Sequence, residues 1–413
     1  MKILIITYYW PPSGGAGVQR WLKFTKYLPE NGIEPIVITT KDGDYPAIDS
    51  SLERDIPKDV KIIKTFTPTI NKISGKKRAA PYGSLTTNER DSLKRRLAIW
   101  IRLNFIFPDA RKIWNGFALN AAEKVLRTDK IDLMITTGPP HSTHLIGLKL
   151  KKKYNLPWIA DFRDPWCDID YLKNVKRSFL TEKLDRKLEQ NVVQNCDLAI
   201  SINHDILKKI GAEGKGVIIP NGFDAEDYKE YPYESDKFTI SYFGHITPER
   251  EPDAVIKALN KLYEQGIDDI SLDFFGNVDD KDRLLSLAKY DFIKFHNYIP
   301  HEEVMKKIQQ AGILLLVINN RADNLGIITG KIFEYLVSRK PILALGPKDG
   351  EANEIIKQTK SGKMFGYNAI DEIADYIADI YKNGYKSFSD IEKYDRKKIT
   401  EQLAQNIKKI VTK

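Results

Sequence analysis

Short apolar runs alternate with segments of helical periodicity along most of the chain. Met1 to Tyr8 reads as an apolar strand and Tyr9-Trp-Pro-Pro-Ser-Gly-Gly-Ala-Gly-Val18 as a loop. Gln19 to Asn31 follows as a helix, with Trp21, Leu22, Phe24 and Leu28 spaced for burial and Gly32 as its C-cap. Ile33–Thr40, Leu133–Thr136 and Trp158–Asp161 are further strands, and Ser142–Tyr154 is a helix between the last two. Short buried strands separated by helices predict a parallel sheet covered on both faces.

The segment Pro220-Asn-Gly-Phe-Asp224 interrupts this alternation, which restarts at Phe238-Thr-Ile-Ser-Tyr-Phe-Gly244. Helices at Asp253–Gln265 and Glu302–Gln310 then alternate with strands at Ser271–Phe275 and Ile313–Ile318. The pattern runs twice and predicts two doubly wound α/β domains. Their expected limits are 1–219, with an insertion at about 66–115, and 220–389. Residues 390–413 read as a polar–apolar helix that comes after the second sheet and packs back on the first domain.

At 413 residues the chain exceeds one typical core. Cys167 and Cys196 show neither metal-ligand spacing nor a disulfide framework, which predicts a reducing, cytoplasmic setting. The N-terminal apolar run is too short for a signal peptide, and no window approaches the roughly 18 apolar residues of a membrane span. The net charge of +9 is concentrated between Lys72 and Lys112, where eleven basic residues face three acidic ones. This basic stretch leads into Leu97-Ala-Ile-Trp-Ile-Arg-Leu-Asn-Phe-Ile-Phe107. A helix carrying Lys94, Arg95, Arg96 and Arg102 beside Trp100, Ile101, Leu103, Phe105 and Ile106 predicts an anionic membrane surface as partner, with peripheral attachment to the inner face of the cell membrane. The alternative is a helix packed on its own domain. Nucleic acid is not expected, because it would leave the residues at the strand ends unexplained.

Candidate chemistry is concentrated in Asn324-Leu-Gly-Ile-Ile-Thr-Gly-Lys-Ile-Phe-Glu-Tyr-Leu-Val-Ser-Arg-Lys-Pro-Ile-Leu-Ala-Leu-Gly346, read as loop, helix and buried strand. Thr329 would cap the helix, its amides would seat an anion, and Lys331 would add a point charge. Glu334 lies on the same face, where it can accept from ribose hydroxyls or orient the lysine. That set suggests a nucleoside diphosphate carrying a sugar; a Lys–Glu surface pair is the other reading. Ligands of open parallel sheets sit at the carboxyl ends of strands. There, Gly14, Gly15 and Gly17 allow close backbone approach. Gly-Gly-Ala-Gly is not the dinucleotide fingerprint, and no acidic residue ends the second strand at Thr39-Thr40, which argues against a nicotinamide or flavin enzyme. His141 and His144 would hydrogen-bond the donor sugar or the acceptor, or else cap and pack. Asp161 and Asp164 would hold acceptor hydroxyls with Arg163 clamping a phosphate, or the three form a structural network. Trp158 and Trp166 would stack on a sugar or fill the core.

Tyr-Tyr-Trp-Pro-Pro-Ser-Gly-Gly-Ala-Gly-Val-Gln-Arg20, Ile219-Pro-Asn-Gly-Phe-Asp224 and Gly330-Lys-Ile-Phe-Glu-Tyr-Leu336 with Lys340-Pro-Ile-Leu343 resemble glycosyltransferase family 4 over essentially the whole chain. Thr136-Thr-Gly-Pro-Pro-His-Ser-Thr-His144 and Ile159-Ala-Asp-Phe-Arg-Asp-Pro-Trp166 are similar to a bacterial branch acting in surface polysaccharide assembly. The resemblance implies a GT-B fold: two Rossmann-like domains facing across a cleft, the second holding a nucleotide-sugar donor and the first a saccharide or lipid-linked acceptor. It also implies a retaining reaction without a metal or other cofactor. Asp168-Ile-Asp170 has the letters of a cation-binding pair but reads as surface.

Carried onto this chain, the family pattern makes His245, Arg250 and Lys331 donor contacts, with Glu334 beside them; the amides of Gly15 and Gly17 and the helix end at Thr329 join them on their own chemistry. By their place at the strand ends, Asp161, Arg163 and Asp164 read as acceptor contacts, and His141 and His144, with Glu334, as residues of the reacting centre. Two departures stand out: Gly326 occupies the place of the family's usual first glutamate, and His245 that of an arginine. A nucleotide-sugar epimerase on the same fold and a catalytically degenerate, membrane-attached scaffold are the rival readings.

Overall fold

The computed structural model describes residues 1–68, 92–169, 172, 175–231, 237–297 and 299–412. Of the basic partner surface expected at 72–112, residues 72–91 lie outside these residues, as does the second letter of the Asp-x-Asp pair, Asp170. Contacts divide the chain into Met1–Asn221 with Arg396–Lys413, and Gly222–Asp395. The first break falls two residues beyond 219 because Arg20 donates to the Pro220 carbonyl (2.9 Å) and Asn221 Oδ1 (3.3 Å), binding both to the first unit. Residues up to Asp395 stay with the second unit, where Phe223 N donates to the Tyr394 carbonyl.

The first unit carries β1 (Lys2–Ile6), β2 (Glu34–Thr40), β3 (Lys61–Thr65), β4 (Leu133–Gly138), β5 (Trp158–Phe162), β6 (Leu198–Ser201) and β7 (Gly216–Ile218) in the spatial order β3-β2-β1-β4-β5-β6-β7. Every pairing is parallel, with Ile3 registered between Pro35 and Leu133. β4 and β5 are buried end to end and β1 from Ile3 onward, as a sheet covered on both faces requires. Its helices are α1 (Ala16–Tyr27), α2 (Leu93–Phe105), α3 (Asn115–Thr128), α4 (His144–Tyr154), α5 (Phe179–Asn195) and α6 (His204–Lys209). Helix α1 begins three residues earlier than its pattern predicts, because Gly15 at φ 109° makes the turn into it. It ends at Tyr27, and a 3-10 turn at Pro29–Asn31 stops at Gly32 in the left-handed conformation.

The second unit repeats the scheme with β8 (Phe238–Phe243), β9 (Ile270–Phe275), β10 (Ile293–His296), β11 (Ile313–Val317), β12 (Ile342–Leu345) and β13 (Gly362–Phe365), ordered β10-β9-β8-β11-β12-β13 and all parallel. Its helices are α7 (Asp253–Glu264), α8 (Lys281–Leu287), α9 (His301–Gln310), α10 (Lys331–Ser338), α11 (Glu351–Thr359) and α12 (Ile370–Asn383). The last helix, α13 (Arg396–Val411), sinks Ile399, Leu403, Ala404 and Ile407 into the first unit's core, and Lys397 pairs with Glu30 at 2.8 Å. Among the described residues no helix is long and apolar enough to cross a membrane.

Asp161, at the carboxyl end of β5, is 0% exposed and saturated from within the chain. It pairs with the fully buried Arg20 at 3.1 Å and accepts from Trp21 Nε1 at 2.7 Å and Thr137 Oγ1 at 2.8 Å. The expected contact with acceptor hydroxyls is therefore corrected: both carboxylate oxygens are already occupied, and the residue joins β4, β5 and α1. Removing one partner of a buried ion pair strands the other charge. Asp161→Ala is thus expected to lower stability by about 3–5 kcal/mol in urea unfolding; a loss below about 1 kcal/mol would show the network to be dispensable.

Candidate functional site

In each sheet the strand order reverses beside the first strand: between β1 and β4 in one unit, and between β8 and β11 in the other. Carboxyl-end loops diverge at such a point and leave a crevice for ligand. The predicted site residues gather at these two places.

In the second unit, β8 runs out at Phe243 into Gly244, whose φ is +126° and whose missing Cβ leaves the space that Lys331 Nζ occupies. Lys331 is the first residue of α10. Its ammonium lies 3.2 Å from the Tyr242 hydroxyl and over that ring at 4.4 Å. Tyr242 in turn donates to the His245 carbonyl at 3.1 Å. Arg250 reaches the same tyrosine, and its Nε donates to Asn319 Oδ1 at 2.7 Å. Asn319, just past β11, donates to Glu249 at 2.7 Å, which fixes the orientation of its amide.

Burial first, and then the neighbouring Arg250, push the Lys331 ammonium down to about 8, while Glu334 pulls the other way. Among the described residues neither Lys331 nor Arg250 forms an ion pair. Two cations thus share one neutral phenol at the switch point, an arrangement that an anion would relieve.

Two expectations in this unit are corrected. Thr329 does not cap α10: the helix starts two residues later at Lys331, after Gly330, whose backbone is already helical at φ −58°. The Thr329 hydroxyl is buried without a hydrogen-bond partner. The Ile332 and Phe333 amides donate to Thr329 and Gly330 carbonyls, which removes them from any anion seat. His245 points its ring at Asp279, 2.5 Å from Nε2, and is about half exposed, so its side chain is committed away from the Lys331–Arg250 pair.

In the first unit, the β4 loop Gly138–Ser142 is held from both sides. Arg163 donates from its backbone (3.1 Å) and Nε (3.2 Å) to the Gly138 carbonyl, and from its other arm to Pro139. Asp109 accepts from Ser142 N and Oγ, both at 2.8 Å, and Asn115 donates to the Ser142 carbonyl. The end of the Arg163 guanidinium lies against Gly17, in the first turn of α1, where any side chain would collide with it. No described carboxylate pairs with Arg163. A cation beside the positive end of a twelve-residue helix is a second anion-favouring point. Gly15 is exposed at the helix entry, and Asp164 follows half-buried.

His141 and His144 are 5% and 0% exposed. His144 Nδ1 is bonded to Thr136 Oγ1 at 2.8 Å, and its ring lies 4.5 Å from Phe162; His141 stacks on Trp166 at 5.4 Å. Burial, with the Arg163 charge adding to it, holds His141 well below its usual range and His144 at about 3, so both are neutral. Gly138 leaves room for the two rings. The expected sugar contact from His144 is corrected, since a fully buried ring reaches no ligand. His141 is also packed, but neither of its ring nitrogens makes a hydrogen bond of good geometry. Trp158 and Trp166 are core residues whose indoles donate to Thr136 and Asp185. Asp168 is held by both guanidinium nitrogens of Arg186.

Tyr242, Asn319 and Asp109 had no signal in the sequence. Each is one polar residue in an apolar or loop segment, and only the folded contacts reveal its use.

Residues 223–398 match the family model described as glycosyl transferases group 1. HepE from Anabaena, solved with UDP and glucose, superposes at a TM-score of 0.60 and 16% identity, covering 99% of this chain and 100% of its own. Sucrose-phosphate synthase from Thermosynechococcus elongatus superposes at 0.55 and 13% identity, covering 100% and 96%. No curated protein matches the chain in sequence. The fold is GT-B, with two Rossmann-like units. The family match over the second unit, taken with this fold, supports a glycosyltransferase.

The depressed Lys331 pKa has a consequence for the ligand-free protein. The folded state disfavours the charged lysine, so Lys331→Met should raise stability, on the order of 1–3 kcal/mol below pH 8. The advantage should shrink as pH rises from about 8 toward 10.5, where the unfolded lysine also loses its proton. Urea midpoints at pH 7 and pH 10 check this; a variant less stable at pH 7 would mean that the ammonium is compensated.

Proposed function

We propose that this chain is a retaining glycosyltransferase that needs no metal. It moves a sugar from a nucleotide-sugar donor, held by Gly222–Asp395, to a saccharide or lipid-linked saccharide acceptor held by Met1–Asn221. Its product would belong to a surface polysaccharide. The observation that carries this reading is the Lys331–Arg250 pair, gathered on Tyr242 at the switch point of the second unit without an ion-pair partner among the described residues.

Departure of a nucleoside diphosphate develops negative charge on its terminal phosphate. Cations already in position stabilise that charge more in the transition state than in the ground state. Glu334, one turn into α10, favours the charged form of Lys331 and would accept from ribose hydroxyls. Gly244 admits the lysine at close range, and Arg163 at the start of α1 would face a phosphate of the acceptor. On a retaining path the acceptor hydroxyl approaches the face the phosphate leaves, and a departing phosphate oxygen takes its proton. Such a path demands no dedicated base, which agrees with two neutral, packed histidines; positioning supplies much of the rate.

UDP, the diphosphate bound in the HepE structure, is the first to test. It should raise the melting temperature of the wild type without added magnesium, by the equivalent of about 2.7 kcal/mol at a hundred times Kd. Affinity should fall as pH rises through about 8, where free Lys331 loses its proton. With the cognate donor, Lys331→Ala should reduce turnover on the order of 10²-fold. Unchanged turnover in that variant would remove Lys331 from the reacting centre. Diphosphate binding with no turnover on any donor would favour the scaffold reading suggested by Gly326 and the His245–Asp279 pair.

A further inference from the structure

We propose that the face formed by α2 and the start of α5 docks on an anionic lipid surface. Leu97, Trp100, Ile101 and Phe105 on α2, with Phe179 and Leu180 on α5, are exposed by 44% (Trp100, Ile101) to 79% (Phe179). Monomeric soluble proteins rarely leave so many large apolar side chains together in water. Leu97, Trp100, Ile101 and Phe105 recur at i, i+3, i+4 and i+8, which puts them on neighbouring turns of one side of the helix.

The two elements are fixed to each other. Asn104, 6% exposed, accepts from the Ser178 amide at 2.6 Å through its side chain and from Thr181 Oγ1 at 3.1 Å through its carbonyl. Phe105 and Phe179 are the chain neighbours of these bonded residues, so the clamp brings both apolar groups to one surface.

Charge selects the occupant. Helix α2 carries Lys94, Arg95, Arg96 and Arg102 and no acidic residue. A helix with apolar side chains flanked by cations suits the boundary between headgroups and acyl chains, where the alkyl stems lie along apolar surface and the charges reach phosphate. A symmetric contact between two copies would instead press each α2 against its twin and set like charges together. The docking does not rest on the diphosphate seat of the second unit, and its failure would leave the Lys331 experiments untouched.

One tryptophan makes the test direct. Of the six in the chain, Trp10, Trp21, Trp114, Trp158 and Trp166 are at most 2% exposed, and Trp100 alone is open. The full-length protein is titrated with vesicles of phosphatidylcholine containing phosphatidylglycerol, and with pure phosphatidylcholine. Anionic vesicles should shift tryptophan emission to the blue and shield it from acrylamide; neutral vesicles should do neither. Trp100→Phe should still sediment with anionic vesicles but lose the spectral change. The double variant Lys94→Glu, Arg96→Glu, unchanged in melting temperature, should bind at least tenfold more weakly. Equal binding to both lipids, no binding, or a dimer that shields Trp100 in the absence of lipid would each overturn the proposal.

Discussion

Holding two cations against one tyrosine, with no ion-pair partner for either among the described residues, is the constraint around which the second unit is organised. Lys331 and Arg250 repel each other, and partial burial deprives them of water that would screen the repulsion. The structure sustains this through local geometry. Gly244 opens the space for the ammonium, Asn319 fixes the guanidinium, and the switch point between β8 and β11 keeps both at a crevice. Such pre-positioned positive potential is what departure of a diphosphate requires, and the repulsion between the two cations and their proposed catalytic use have the same origin.

The first unit shows both ways of treating a buried charge. Arg20 is entirely enclosed, yet Asp161 neutralises it and Trp21 and Thr137 complete the carboxylate's hydrogen bonds. That pair joins α1 to the sheet and has nothing left for a ligand. Arg163, two residues further on, spends its donors on the Gly138 and Pro139 carbonyls and meets α1 at Gly17. Its charge has no carboxylate partner among the described residues. Asp161 and Arg163 are two residues apart in sequence, but the charge of one is neutralised by a buried partner and that of the other is held only by carbonyls.

Much of the architecture was legible because buried parallel strands leave an unmistakable trace. Ile3 to Ile6, Ile36 to Ile38 and Ile313 to Val317 are continuous apolar runs, and each became a central strand. The strands that escaped notice lie toward the sheet edges, where pattern weakens. Lys61-Ile-Ile-Lys-Thr65 is only partly buried, and Gly216–Ile218 is three residues long. The site was legible in type but not in role. Lys331 and Arg250 could be named from motif, whereas Tyr242, which gathers them, is one more aromatic in an apolar strand. Asp161 and His144 looked chemical because they are polar and sit at or just beyond strand ends; whether such a group faces ligand or core depends on partners such as Arg20, which lies far from Asp161 in sequence, and on how the loop after β4 turns His144 back onto Thr136. Thr329 illustrates a finer limit, since a cap depends on the backbone angles of one residue and Gly330 was already helical.

A crystal structure of the full-length protein with a bound nucleoside diphosphate tests the central claim most directly. The account predicts the terminal phosphate within about 3 Å of Lys331 Nζ and of the Arg250 guanidinium, with Tyr242 unmoved beneath them. A diphosphate seated elsewhere while Lys331 and Arg250 stay as they are, or a carboxylate of the chain found between them, would contradict it.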